Sequence, residues 1–269
     1  TQTKQQSRSF NTYIMKKLLG ILFIGGSMLG CGKVIEYSND FGTANFINAA
    51  IFSVPAPGFA DTTMRIFVDT SQKTTSAVAY RGSTGYLAVA PGTRNVQVRS
   101  SFDLLTNFVE ANAETFTANT ASTYVIYDTM ANASSKLKLA RLNDTLTLPG
   151  NGFIKLRFLP LAPNVPDMDI TFLRTSATPN DSITFFNQSY IGGSPSEATI
   201  QALSAFRTAP LGTYTMKLKL AGTQTVLGAQ PLSVANVAGT AGMTGINTLY
   251  ITGNAKGKPL SVGITRHYP

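Results

Sequence analysis

One thiol, Cys31, and one imidazole, His267, are the only side chains of their kinds in this 269-residue chain. Acid–base catalysis near neutral pH draws on His first and on carboxylates of shifted pKa second. A Ser-His-Asp triad would have to use His267, and no Gly-x-Ser-x-Gly elbow accompanies it. So close to the end of the chain, His267 is expected to be exposed and frayed. Zinc and copper sites need several His and Cys ligands, so neither metal is expected. Asp167 and Asp169 form the one close acidic pair singled out, two residues apart at the start of an expected strand, where both can face one way. With Asn164 they could offer oxygen ligands to calcium, or alone a glycosidase pair. Alternatively Asn164-Val165-Pro166-Asp167 is a turn and Asp169 its hydrogen-bonding brace. The Pro-rich setting supports the brace first, so no catalytic residue and no cofactor is expected. Gly239 to Gly245 (GTAGMTG) lacks the Lys-Ser/Thr ending of a phosphate cradle and reads as a loop. Phe185-Phe186, Tyr190 and Gly192-Gly193 could make an adhesive loop for a glycan or a protein, or simply pack.

The thiol sits in a different context. Met15-Lys16-Lys17 is a basic start, and Leu18 to Leu29 (LLGILFIGGSML) is an apolar run of 12 residues. That is the length of a secretory signal and too short to cross a bilayer. Met28-Leu29-Gly30-Cys31 follows and resembles a lipobox, with Met28 where Leu is usual. A thiol can take a diacylglyceryl group as a thioether, and two or more acyl chains anchor a protein stably. Residues 1–14 are read as upstream sequence, 15–30 as a lipoprotein signal peptide and 31–42 as a tether from lipidated Cys31. With a single cysteine, no intrachain disulfide is possible.

The remainder reads as short β-strands between turn clusters: 64–69, 94–100, 123–128, 136–141, 152–159, 168–173, 213–220 and 247–252. In Lys136-Leu137-Lys138-Leu139 and Thr215 to Leu220 a period of two turns the apolar residues inward. Only 195–207 could be helical, and only briefly. The chain also repeats. Tyr86 to Thr93 and Phe206 to Thr213 share an aromatic six residues before a glycine, with Pro91 or Pro210 just ahead of it, as in a strand–turn–strand hairpin. Phe46-Ile47 is matched with Phe153-Ile154, and Tyr124-Val125-Ile126 with Leu249-Tyr250-Ile251. The expected fold is all-β, with two tandem antiparallel β-sandwiches (immunoglobulin-like or transthyretin-like) over 43–141 and 152–269, joined by a linker at 142–151.

Ala162-Pro163-Asn164-Val165-Pro166-Asp167-Met168-Asp169-Ile170-Thr171-Phe172 resembles the opening signature of the domain of unknown function 4397 (DUF4397) family. The first repeat keeps Pro55, Pro57 and Ile66-Phe67-Val68 but has Arg65 where that family expects Asp. The resemblance implies a secreted or lipid-anchored bacterial protein and no activity. The leader and tether are similar to those of Bacteroidetes lipoproteins. Asp61-Thr62-Thr63, Asp128-Thr129-Met130, Asp144-Thr145-Leu146 and Asp181-Ser182-Ile183 resemble the O-glycosylation motif of Bacteroidetes envelope proteins, with Thr62, Thr129, Thr145 and Ser182 as acceptors. Asp-Thr is also ordinary turn chemistry.

Composition narrows the function classes. Charged residues make up only 13%, and Lys4, Arg8, Lys16 and Lys17 contribute four units of the +9 net charge ahead of Cys31. The remaining cations are scattered without interleaved aromatics, which argues against nucleic acid. The expectation is a non-enzymatic binding or spacer module of the cell envelope, at the outer membrane and facing either side. It is held to the membrane by lipid on Cys31 and meets an envelope protein or a glycan. The alternatives are an accessory subunit of an envelope assembly, or a polysaccharide-active enzyme using Asp167 and Asp169.

Overall fold

Two copies of one strand plan are stacked so that each contributes an outer sheet and an inner sheet. The computed structural model describes residues 40–52, 63–109, 112–130, 135–174, 182–227, 232–233, 245–253 and 258–268; Cys31, its leader and most of the glycine-rich 239–245 segment lie outside them. The first repeat holds β1 (Gly42–Asn48), β2 (Ile51–Phe52), β3 (Met64–Val68), β4 (Ser71–Gln72), β5 (Ser83–Val89), β6 (Gly92–Ser100), β7 (Asn112–Phe116), β8 (Ala121–Tyr127), β9 (Thr129–Met130) and β10 (Lys138–Asp144). The second holds β11 (Phe153–Pro160), β12 (Met168–Arg174), β13 (Ser182–Gln188), helix α1 (Glu197–Ser204), β14 (Arg207–Pro210), β15 (Tyr214–Leu220), β16 (Leu232–Ser233), β17 (Ile246–Thr252) and β18 (Ser261–Tyr268). The fold is all-β as expected, and α1 falls inside the one segment expected to be helical, N-capped by the Ser196 side chain on the Thr199 amide.

The outer sheets run β4-β3-β6-β7 and β13-β12-β15-β16, and the inner ones β10-β8-β1-β5 and β18-β17-β11-β14, so the two repeats share one topology. Each inner sheet is mixed: β1 lies parallel to β8, and β11 parallel to β17. Such a pair needs no hairpin, because the intervening strands supply the crossover. Two expectations are corrected here. The Pro-Gly turns are not hairpins: β5 and β6 lie in different sheets, as do β14 and β15. Each turn therefore carries the chain across the sandwich, with Gly92 at φ +106° making the corner. The parallel registers also realign the repeats. Phe46 faces Tyr124 and Phe158 faces Leu249, so Phe46-Ile47 matches Phe158-Leu159 and not Phe153-Ile154. Phe153 is half exposed, whereas Phe46 and Phe158 are buried.

Each sandwich encloses its own core: Phe46, Met64, Ile66, Val98 and Tyr124 in the first, and Leu156, Phe158, Ile170, Phe172, Met216 and Leu249 in the second. A third cluster joins them. Ile47, Val125, Tyr127 and Leu142 of one inner sheet pack on Leu159, Leu161, Ile191 and Tyr250 of the other half. The inner strands are therefore covered on both faces, and every residue of β17 is buried. Sheets covered on both faces lose the alternation that a half-solvated strand shows. The outer β15 keeps it, with Tyr214, Met216 and Leu218 inward and Lys217 exposed. Strand β10 runs on to Asp144, into the stretch expected as the linker, and Leu142 is fully buried.

Backbone carbonyls stitch the halves together. Tyr250 Oη donates to Arg81 O (2.8 Å), Thr252 Oγ1 to Ala49 O (2.8 Å) and Tyr127 Oη to Gly192 O (2.9 Å). Tyr250 reaches Arg81 across Gly263, its register partner on β18, where a Cβ would collide with the phenol ring.

Candidate functional site

Where the inner sheets meet, six strands and one loop bring most of the chain's special chemistry to one place. Asp144 Oδ2 accepts from Tyr86 Oη (2.6 Å) and Thr123 Oγ1 (2.6 Å), and Oδ1 accepts from Arg157 Nη1 (2.7 Å). Both side chains of the Asp144–Arg157 pair are fully buried. Arg157 Nε donates to Thr248 Oγ1 (3.0 Å). Thr248 Oγ1 lies 2.6 Å from His267 Nε2, and Tyr86 Oη lies 2.6 Å from His267 Nδ1. With a neutral imidazole, one proton assignment satisfies all of these bonds. Tyr86 gives its proton to the carboxylate, so His267 Nδ1–H donates to Tyr86. Thr248 accepts from Arg157 and so donates to Nε2. The ring closes as Arg157 to Thr248 to His267 to Tyr86 to Asp144 and back to Arg157. Arg157 also stacks on the Phe206 ring at 4.4 Å, and Phe206 meets His267 edge-on at 5.6 Å.

This overturns the expectation of an exposed terminal histidine: His267 is 6% exposed. Pairing of β18 with β17 holds the chain end in register. Burial, more than any charge, lowers the His267 pKa to about 4; Asp144 opposes that shift and Arg157 reinforces it. The imidazole is neutral at pH 7, as the proton assignment requires. Burial, reinforced by Asp144, pushes the Tyr86 phenol well above its usual range, which keeps it an O–H donor. The arrangement fixes one geometry between two sheets. It has the residue types of a catalytic site, but Thr123, Arg157, Thr248 and His267 are all buried.

The sequence-chosen acidic residues lie elsewhere. Asp169, on the outer face of β12, accepts from the Asn187 amide at Oδ1 (2.8 Å) and the Gly222 amide at Oδ2 (3.0 Å). These bonds, Asn187 first, hold its carboxyl below the ordinary range. Asp167 is exposed, and its carbonyl accepts from Ala221 N (2.9 Å). Asn164 takes the left-handed conformation at φ +58°. Among the described residues no group of three or more His, Cys, Asp or Glu is placed to hold a metal ion. Of the glycosylation candidates, Thr62 lies outside the described residues, Thr145 and Ser182 are exposed, and the Thr129 hydroxyl is buried and closed to a transferase in the folded chain.

Sequence reasoning missed Asp144, Arg157, Tyr86 and Phe206. Arg157 alternates with Leu156 and Phe158, which reads as a solvent-facing position unless a second layer is known to cover it. Both repeats contribute to this one cluster.

Among the described residues, two of the clefts open to solvent bear on function. The larger, about 660 Å³ in the second repeat beside α1, is lined by Phe185, Asn187, Gln188, Tyr190, Thr199 and Arg207 among others. Arg207 stacks on Phe185 at 4.4 Å and donates to Thr184 O (2.8 Å). Among the described residues no carboxylate, imidazole or thiol lines it. The smaller, about 450 Å³ at the seam between the repeats, carries Glu114, Arg141 and Glu197. Burial raises the Glu114 pKa, and Arg141 opposes that shift. Phe185 of the expected adhesive loop is core, while Phe186 is exposed. No described helix is long and apolar enough to cross a membrane.

A search of curated proteins finds no match. Among solved structures, the chain is similar to the Bacillus anthracis TIE protein at 10% identity and TM-score 0.21, covering 79% of this chain and only 34% of that one. It is also similar to a candidate cell adhesion protein of Bacteroides uniformis, at 8% identity and TM-score 0.25, covering 86% and 99% of the two chains. A candidate adhesin of Bacteroides ovatus gives 10%, 0.21, 85% and 94% in the same order. These scores are too low to carry a shared fold. By sequence, residues 57–171 match the family model described as Domain of unknown function (DUF4397), a span that opens ahead of β3 and closes in β12 of the second repeat.

Proposed function

We propose that this chain is a lipid-anchored cell-envelope module, held through Cys31, that works by binding or spacing and not by catalysis. The observation that carries the reading is the division of chemistry. The larger open cleft presents amides, hydroxyls, aromatic rings and one guanidinium, but no acid–base pair. The sole imidazole is locked inside the polar ring. Such a lining suits a neutral polar ligand, a glycan or an extended peptide of an envelope protein, met by hydrogen bonds and ring stacking. The second-repeat position of Asp169 supports the same reading, because backbone amides already engage both carboxylate oxygens.

The test has two arms. Cells fed a labelled fatty acid should label the wild-type protein and not Cys31→Ser; label on the Ser variant sinks the anchor. A glycan array probed with the full chain should lose its signals on Arg207→Gln if the cleft binds them. The enzymatic alternative now rests on Glu114 and Glu197, which share the seam cleft, as well as on Asp167 and Asp169. Polysaccharide cleavage that Glu114→Gln abolishes in a folded variant would establish it instead.

A further inference from the structure

The turn after β6 in the first repeat displays exposed apolar side chains. Phe102 is 79% exposed, Leu105 82% and Leu104 38%. The turn is nevertheless built rigidly. Asp103 Oδ1 accepts from the Leu105 and Thr106 amides (both 3.0 Å), and Oδ2 accepts from Thr106 Oγ1 (2.7 Å). Ser100 Oγ accepts from Phe102 N (3.1 Å), and Ser100 N donates to Thr106 O (2.9 Å). Leu104 is held at φ +57°, a conformation a branched residue adopts only when its surroundings impose it.

Two cations grip the base of this turn. Arg99 Nη1 donates to Leu104 O (3.2 Å) and Lys136 Nζ to Asn107 O (2.5 Å). Neither forms a salt bridge among the described residues, where the ion pairs are Arg94–Asp69 and Arg157–Asp144. Arg65, in register with Arg99 on β3, adds a third cation with no ion pair among the described residues. The duplicate of this turn marks the difference. Leu220 N donates to Thr225 O (2.8 Å) as Ser100 N does to Thr106 O, yet the intervening residues, Ala221-Gly222-Thr223-Gln224, are small or polar.

We propose that the Phe102–Leu105 turn inserts into the interface of an anionic lipid bilayer. A protein partner needs roughly 800 Å² per side for a stable contact, more than a protruding turn of seven residues can offer. A bilayer needs only the protruding apolar groups, with cations just behind them to meet lipid phosphates. Asp103 sits at the tip, and its carboxylate is already shielded by three donors. This inference does not depend on Cys31.

A local reporter tests it. In the full chain with Cys31→Ser, Leu105→Cys supplies the sole thiol, to be labelled with nitrobenzoxadiazole. Vesicles of phosphatidylglycerol and phosphatidylethanolamine should blue-shift the probe, and doxyl-labelled lipid should quench it. Gln224→Cys, on the duplicate turn, should stay in water. Phe102→Ser, or Arg99→Gln with Lys136→Gln, should weaken the vesicle response about tenfold, and phosphatidylcholine vesicles should respond far less. Three results would overturn the proposal: a probe that stays aqueous with vesicles, one already shielded without them by a second copy or by another segment of the chain, or equal shifts at positions 105 and 224.

Discussion

The two inner sheets are the same sheet twice, and they differ where they touch. Because Thr123 and Thr248 occupy equivalent register positions, Asn45 corresponds to Arg157 and Leu142 to Thr265; Asp144 and His267 each lie two residues further along, His267 at the point where β18 slips by one residue against β17. Tyr86, opposite Asn45, corresponds to Phe206, one step before Arg207 of β14. The polar ring and its aromatic cover therefore come from duplicated positions. Two identical faces would bring Asp to Asp or His to His, a like-charge or doubly protonated clash in a low dielectric. Divergence to Asp against His, with Arg gained on one side, turns self-contact into complementarity, while threonine is kept on both sides. The outer sheets show the same rule. Asp169 braces its loops by accepting amide protons, and its counterpart Arg65 braces its own by donating to the Thr74 and Thr75 carbonyls.

The largest effect should come from breaking the asymmetric pair. Arg157→Met leaves Asp144 buried without its cation, which costs about 3–5 kcal/mol, measurable by urea denaturation. Adding Asp144→Asn should return part of that loss. A single variant within about 0.5 kcal/mol of wild type would mean the ring does not hold the halves together.

Acid should act next. His267 binds its proton at about 4 when folded and near 6.5 when unfolded. The unfolded chain therefore takes up the proton first as pH falls. Stability should be constant above pH 6.5 and fall by about 3 kcal/mol on the way to pH 4. His267→Gln should flatten that window, and a wild-type curve already flat there would contradict the proton assignment.

Smaller changes sharpen the contrast between the repeats. Gly263→Ala pushes on Tyr250 and should cost about 1–3 kcal/mol, read as a lower Tm. Asp169→Asn should speed hydrogen exchange at the Asn187 and Gly222 amides and leave the first repeat unchanged. Spread of the effect into the first repeat would deny that the brace is local.

The outer layers were legible in the sequence because one face of each is wet. Lys217 and Lys219 alternate with Met216 and Leu218, and the expected strand matches β15 to within a residue. The inner layers hid their second covering. Lys155 and Arg157 look alike by alternation, yet Lys155 reaches out to Thr147 O (2.6 Å) while Arg157 is sealed in. Asp144 looked like part of a linker because Asn-Asp-Thr reads as turn chemistry. His267 was placed by its nearness to the chain end, when β-pairing decided its burial. The cleft beside α1 joins residues from β11, β13, α1 and β14 that no local pattern connects.

Calorimetry tests the central claim most directly. If the two repeats are keyed by one complementary ring, the wild-type chain at pH 7 should unfold in a single transition, with calorimetric and van't Hoff enthalpies equal. Arg157→Met should split that transition in two. Two independent wild-type transitions, with that of the first repeat unmoved by Arg157→Met in the second, would show two autonomous sandwiches on a string and contradict the account.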